Sequence, residues 1–219
     1  AGLKYNSTDH QNFIELRSFT TLVSRHIVRS DFIVFSDQST LSENTILYNG
    51  EEVITQANKN LGNRFIYGGT LEGRWVISNP IDLSGGITYT TADKNSDYGP
   101  MPSIAPLFGT FTLSHKRKKL RSLLIWRFSE AKSPSQYSWG GEDGLIETPL
   151  INPQALNDVD RFFGMPSWST WSLLAQYEFK KDVVFNLGLK NIFDLHYRTF
   201  ASGISSEGRS LQFGIKVKF

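Results

Sequence analysis

Residues 209–219 read RSLQFGIKVKF, and this stretch decides the fold. Leu211, Phe213, Ile215, Val217 and Phe219 are apolar, while Gln212, Gly214, Lys216 and Lys218 between them are polar or lack a side chain. Side chains along a strand point to opposite faces with period two, so the stretch makes one apolar and one polar face. A half-buried strand in water can share this pattern, but a terminal strand there frays and seldom ends on its largest apolar residue.

The alternation recurs through the chain. Trp171, Leu173, Ala175, Tyr177 and Phe179 oppose Thr170, Ser172, Leu174, Gln176 and Glu178, and Phe185, Leu187 and Leu189 oppose Asn186, Gly188 and Lys190. Ile81–Thr90, Tyr67–Trp75 and Leu107–Ser114 repeat it. Leu123 and Ile125 break the polar face of 120–130, and the outward parity of 13–35 stays unassigned. Nine strands are predicted, at 2–6, 13–35, 53–77, 81–91, 106–115, 120–130, 169–179, 182–194 and 208–219. Several match the 9–11 residues of a tilted membrane strand.

The connections carry more information than the strands. They run 7–12, 36–52, 78–80, 92–105, 116–119, 131–168, 180–181 and 195–207, alternating short and long. An up-and-down sheet then collects every short turn at one end and every long loop at the other. Outer-membrane barrels sort their connections this way, and a soluble sandwich has no physical reason to do so. The expected fold is all-β: an antiparallel up-and-down transmembrane β-barrel, here a partial barrel of about nine strands. Phe213, Ile215, Val217, Phe185, Leu187, Leu189, Leu173 and Tyr177 are expected to face lipid.

Composition narrows the function classes. Basic and acidic residues number 23 and 21, and the basic ones are dispersed, so a nucleic-acid partner is not expected. The absence of cysteine removes disulfides, thiol catalysis and thiolate metal sites. The sequence holds no apolar run long enough for a transmembrane helix and does not open on a signal peptide. The histidines His10, His26, His115 and His196 are scattered, with no metal-ligand spacing and no nucleophile–base constellation beyond the local Ser114–His115 pair. No enzyme, cofactor or bound metal is therefore expected. The run His115–Lys119 reads as a solvated turn, with an anionic-lipid or nucleic-acid patch as the sharper alternative.

Four stretches, in chain order, resemble the C-terminal part of TonB-dependent outer-membrane receptors: NLGNRFIYGGTLEGRW (60–75), GPMPSIAPLFG (99–109), GMPSWSTWSLLAQYEF (164–179) and GLKNIFDLHYRTFASGISSEGRSLQFGIKVKF (188–219). The resemblance implies that residues 1–219 are the C-terminal part of such a barrel, without its plug domain and N-terminal strands. Such transporters close with about 22 strands around a plugged lumen. It further implies a bacterial outer-membrane receptor that takes up a ferric siderophore or similar iron chelate, driven by TonB through the plug. The partners implied are outer-membrane lipid, the rest of the same receptor, TonB and the ligand. A passive pore or structural barrel without TonB coupling, or a receptor for haem, cobalamin or glycan, is the alternative. Phe213, Ile215, Val217 and Phe219 resemble the terminal assembly signal of outer-membrane proteins.

Within this frame the loop 131–168 is the first candidate for ligand capture. Tyr137, Trp139, Phe162 and Phe163 offer rings for a bulky, partly aromatic chelate, beside the charged Glu142, Asp143, Asp158, Asp160 and Arg161. Its four prolines argue against a helix, and Trp168 belongs to an interfacial girdle. Arg198 and Arg209 in the last long loop would attract an anionic ligand. Glu72 and Arg74 are assigned to the lumen, facing the plug.

Overall fold

The structure, a computed structural model, describes residues 1–9, 11–31, 45–60, 62–93 and 99–218. His10, Leu61, Phe219 and residues 32–44 and 94–98 of the predicted strands and loops lie outside the described residues.

Thirteen strands are described in chain order: β1 (Gly2–Asn6), β2 (Phe13–Val23), β3 (Ile27–Asp31), β4 (Thr45–Tyr48), β5 (Glu51–Ile54), β6 (Gln56–Asn60), β7 (Arg64–Ser78), β8 (Ile81–Ala92), β9 (Phe108–Arg117), β10 (Leu120–Ser129), β11 (Trp168–Lys180), β12 (Val183–Lys190) and β13 (Ser210–Val217). Nine of them form one sheet in the order β1-β2-β7-β8-β9-β10-β11-β12-β13, every neighbour antiparallel. This is the predicted up-and-down sheet, consistent with part of a β-barrel. The connections sort as expected: 7–12, 79–80, 118–119 and 181–182 at one end, and 24–63, 93–107, 130–167 and 191–209 at the other. β1 pairs only with β2 and β13 only with β12, so the described sheet is open at both edges.

Three predicted strands are corrected. The stretch 13–35 breaks after β2, where Arg25 takes φ 52° and turns the chain out of the sheet. β3 then pairs with β6, and β4 with β5, in two separate ladders. The stretch 53–77 is likewise three strands, and Gly62 (φ 82°) precedes the return into the sheet at β7. The described residues of 24–63 therefore carry two small ladders rather than extensions of the main sheet. The stretch 182–194 stops at Lys190, because Asn191 (φ 46°) and Asp194 (φ 56°) form a turn.

The register fixes the two faces, including that of β2. Leu3 lies opposite Leu16, Leu16 opposite Leu71, and Leu71 opposite Ile87. Further along, Ala175, Leu187 and Phe213 align, as do Tyr177, Phe185 and Ile215. Trp126 stacks between Phe111 and Trp171 at 5.5 and 5.7 Å, and its indole N–H donates to Ser169 Oγ at 2.7 Å. On the opposite face, Gln176 donates to Asn186 Oδ1 at 3.2 Å, and Arg17 bridges Glu15 and Glu72 at 2.6 and 3.5 Å. Glu72 and Arg74 share this polar face, Arg74 meeting Asp82 at 3.2 Å. Leu123 lies opposite Leu174 there, an apolar spot in the polar rows.

Candidate ligand-binding cavity

The loop 130–167 has a closed neck. Lys132 and Met165 exchange both backbone hydrogen bonds, at 2.9 and 3.0 Å, bringing the two ends of the loop together. Gly164 (φ 80°) lies against the Lys132 carbonyl and Pro134, where a Cβ would collide with the carbonyl and crowd the proline ring. Above the neck the Lys132 side chain is buried. Its ammonium pairs with Asp143 Oδ2 at 3.0 Å, donates to the Ile104 carbonyl at 2.7 Å, and sits 4.0 and 5.0 Å from the rings of Phe200 and Tyr137. Asp143 also accepts from the Ser103 N–H at 2.7 Å. One ion pair thus joins three loops. Burial pulls the Lys132 pKa down against the pull of Asp143, and burial pushes the Tyr137 hydroxyl up to about 12.

The last long loop is fastened from below. Asn191 is buried, accepts from the Leu195 N–H at 3.0 Å, and donates to the carbonyls of Leu195 and Glu207 at 2.9 and 3.1 Å. Between the two loops lies a cavity of about 510 Å³. Its aromatic walls are Tyr137, Trp168, Tyr197 and Phe200, with Trp168 and Tyr197 at 4.5 Å and Tyr137 edge-on to Phe200 at 6.3 Å. Arg198 reaches it and donates to the Glu147 carbonyl at 2.8 Å, and the carboxylates of Glu142 and Glu147 line the same space.

The residues singled out in the sequence are therefore divided. Tyr137 and Arg198 line the cavity, Tyr137 almost wholly buried, and Trp168, expected in an interfacial girdle, lines it as well. Trp139 does not; it is exposed and packs against Gly99. Phe162 and Phe163 lie outside it, Phe162 under the guanidinium of Arg161 at 5.9 Å. Asp158, Asp160 and Arg161 form a four-residue helix, α1 (Asp158–Arg161), capped by Asn157, whose Oδ1 accepts from the Asp160 N–H at 2.9 Å. Besides that turn the loop holds two 3₁₀ turns, at Pro134–Gln136 and Leu145–Glu147, and no longer helix. Arg209 is held by Asp194, its N–H on Oδ1 at 2.7 Å. Lys132, Glu147, Tyr197 and Phe200 escaped the sequence reading, since no periodicity marks them. Among the described residues no group of three His, Asp or Glu is poised to hold a metal ion.

A second ion pair, of buried Arg64 with half-buried Asp93, stands near the loop 24–63. Arg64 meets Asp93 Oδ1 at 3.0 Å and the Asp93 carbonyl at 2.7 Å. Burial favours the neutral acid, but the hydrogen bonds from Arg64 and the Phe65 N–H outweigh it and lower the Asp93 pKa. Burial, with Arg64 adding repulsion, also lowers the pKa of His26, whose Nδ1 has no hydrogen-bond partner among the described residues.

A sequence profile described as "TonB dependent receptor-like, beta-barrel" matches residues 1–192. The chain belongs to the TonB-dependent receptor family. Solved structures of TonB-dependent receptor architecture superpose on all of it. The copper transporter OprC does so with TM-score 0.68 and 16% identity, over 100% of this chain and 30% of that one. The pyoverdine outer membrane receptor FpvA from Pseudomonas aeruginosa PAO1, bound to pyoverdine, gives 0.60 and 18%, over 100% and 29%. The ferric-catecholate import receptor Fiu from E. coli K12 gives 0.62 and 14%, over 100% and 27%. This TonB-dependent receptor chain spans about 30% of the length of the first of these structures, and the likeness carries the fold. Comparison with curated protein sequences gave no match. The TonB-dependent receptor family consists of receptors and transporters in outer-membrane β-barrels.

Proposed function

We propose that this chain is the C-terminal barrel portion of a bacterial outer-membrane receptor that imports a ferric siderophore or similar iron chelate under TonB drive. The apolar face meets lipid, the polar face lines a plugged lumen, and the long loops are extracellular. The observation that carries the reading is the aromatic cavity of about 510 Å³ between the two loops at the long-connection end. Its rings suit the flat ligand groups of a chelate, and Arg198 supplies a cation for an anionic one. Chelate capture there, with energy delivered through the plug, accounts for a receptor-family sheet that carries its largest loops at one end.

The test is uptake of labelled ferric chelates by whole cells carrying the intact receptor, a gene deletion, or an intact receptor in a strain lacking TonB. Uptake of at least one chelate should require both receptor and TonB. Uptake that persists without TonB identifies a passive pore and sinks the reading. Topology has its own check: a cysteine introduced at Ser138 should react with an impermeant thiol reagent on intact cells.

A further inference from the structure

Arg117, Lys118, Lys119, Lys180, Lys181 and Lys218 are brought together at the short-turn end of β9 to β13. All six are exposed. The Lys119 ammonium donates to the Phe179 carbonyl at 3.1 Å, joining the β9–β10 turn to the end of β11. The Lys218 N–H donates to the Asp182 carbonyl at 2.9 Å, joining β13 to the β11–β12 turn. Among the described residues none of the six forms an ion pair. The other half of the sheet differs at this end, where Arg74 meets Asp82 at 3.2 Å and Lys4 meets Glu15 at 3.6 Å.

The patch adjoins the apolar face. Arg117 lies opposite Leu120, and Leu120 opposite Tyr177. A bulge between Glu178 and Lys180 sets Lys180 opposite Val183, on the face of Phe185, and its ammonium lies 5.7 Å from the Phe179 ring. Cationic heads below a belt of rings and aliphatic side chains match the layering of a lipid leaflet, with phosphate outside and acyl chains within. Lys116 and Arg121, opposed in register on the polar face, are outside this surface.

We infer that this patch binds the phosphate headgroups of anionic phospholipid in the leaflet on the short-turn side. The acyl chains then lie along Tyr177, Phe179 and Phe185. The unpaired cations supply charge complementarity, and the adjacent rings select an amphiphile over a free anion. This rests on the proposed outer-membrane reading.

The experiment uses the intact receptor, purified and delipidated, titrated separately with short-chain phosphatidylglycerol, phosphatidylcholine and lipopolysaccharide. Phosphatidylglycerol should bind about tenfold more tightly than phosphatidylcholine, and the preference should fade at roughly 0.5 M salt. The variant Arg117→Gln/Lys118→Gln/Lys180→Gln/Lys181→Gln should lose the preference, while Lys116→Gln keeps it. Equal affinity for the two phospholipids, stronger binding of lipopolysaccharide, or a preference that survives in the quadruple variant overturns the inference. Outer-membrane fractionation separates the two readings: an unmodified receptor absent from that membrane counts against the proposed function. An inserted receptor without lipid preference counts against this inference alone.

Discussion

Lys132 shows what a single residue does in a loop without periodic structure. Its buried ammonium satisfies Asp143 and the Ile104 carbonyl while covering two rings. Lys132→Ala leaves the Asp143 carboxylate buried without its counter-ion, so the loop 130–167 should lose about 3–5 kcal/mol of local stability. Hydrogen exchange across 133–164 in the intact receptor measures this. The double variant Lys132→Met/Asp143→Leu should recover most of the loss, because it removes both charges. His26 sets a second expectation. The unfolded segment binds a proton near the ordinary value of about 6.5, whereas burial and Arg64 hold the folded value lower. The contribution of neutral His26 is complete above about pH 6.5 and is lost as pH falls from there through the folded value. Asp93 and Glu142 act in the opposite sense and moderate the loss. Proteolysis of 24–63 should accelerate at pH 5 relative to pH 7.5, and His26→Gln should flatten that difference. Neither role is legible in the sequence, because a loop residue's partners are set by three-dimensional closure and not by spacing.

Strands are legible where period two can be counted. Leu187 and Asn186 are neighbours on opposite faces, the first aligned with Ala175 and Phe213 and the second bonded to Gln176. Leu187→Arg near mid-membrane should cost about 2–4 kcal/mol, and Asn186→Arg less. Chemical unfolding of the receptor in bilayers compares them, and equal costs would reverse the assigned faces. Gly188 is a poorer site for the comparison, since its added Cβ would lie 3.2 Å from Leu174 Cδ2. Two of the three places where strand reading failed, 13–35 and 182–194, share a physical cause. Arg25, Asn191 and Asp194 adopt left-handed backbone without being glycine, and a sequence gives little warning of that. Beyond Arg25 the residues remain β-prone, so 27–31 and 53–60 read as continuous with the sheet although their strands pair elsewhere.

At the scale of the molecule, strand order follows chain order without exception in the nine-stranded sheet. The alternating connection lengths make this topology readable in the sequence. The two open edges set the next expectation. Within hydrocarbon each unpaired N–H and C=O of β1 and β13 costs several kcal/mol. Residues 1–219 placed alone in bilayers should therefore not give the compact, heat-modifiable species on electrophoresis that a closed barrel gives. The intact receptor should give it. A compact species from the piece alone would show that it closes on itself, against the open order of its strands.

The neck formed by Lys132 and Met165 has a consequence for how such a surface can diversify. A clasp at the base of the loop 130–167 separates whatever lies above from the strands below. The thirty-odd residues beyond it behave as a cassette on a fixed socket, whose sequence can change while β10 and β11 keep their register. Replacing 133–164 by a short Gly-Ser linker, with the clasp retained, should leave barrel assembly of the intact receptor unchanged. Chelate uptake should fall at the same time, because Arg198 loses the Glu147 carbonyl and Phe200 loses Tyr137.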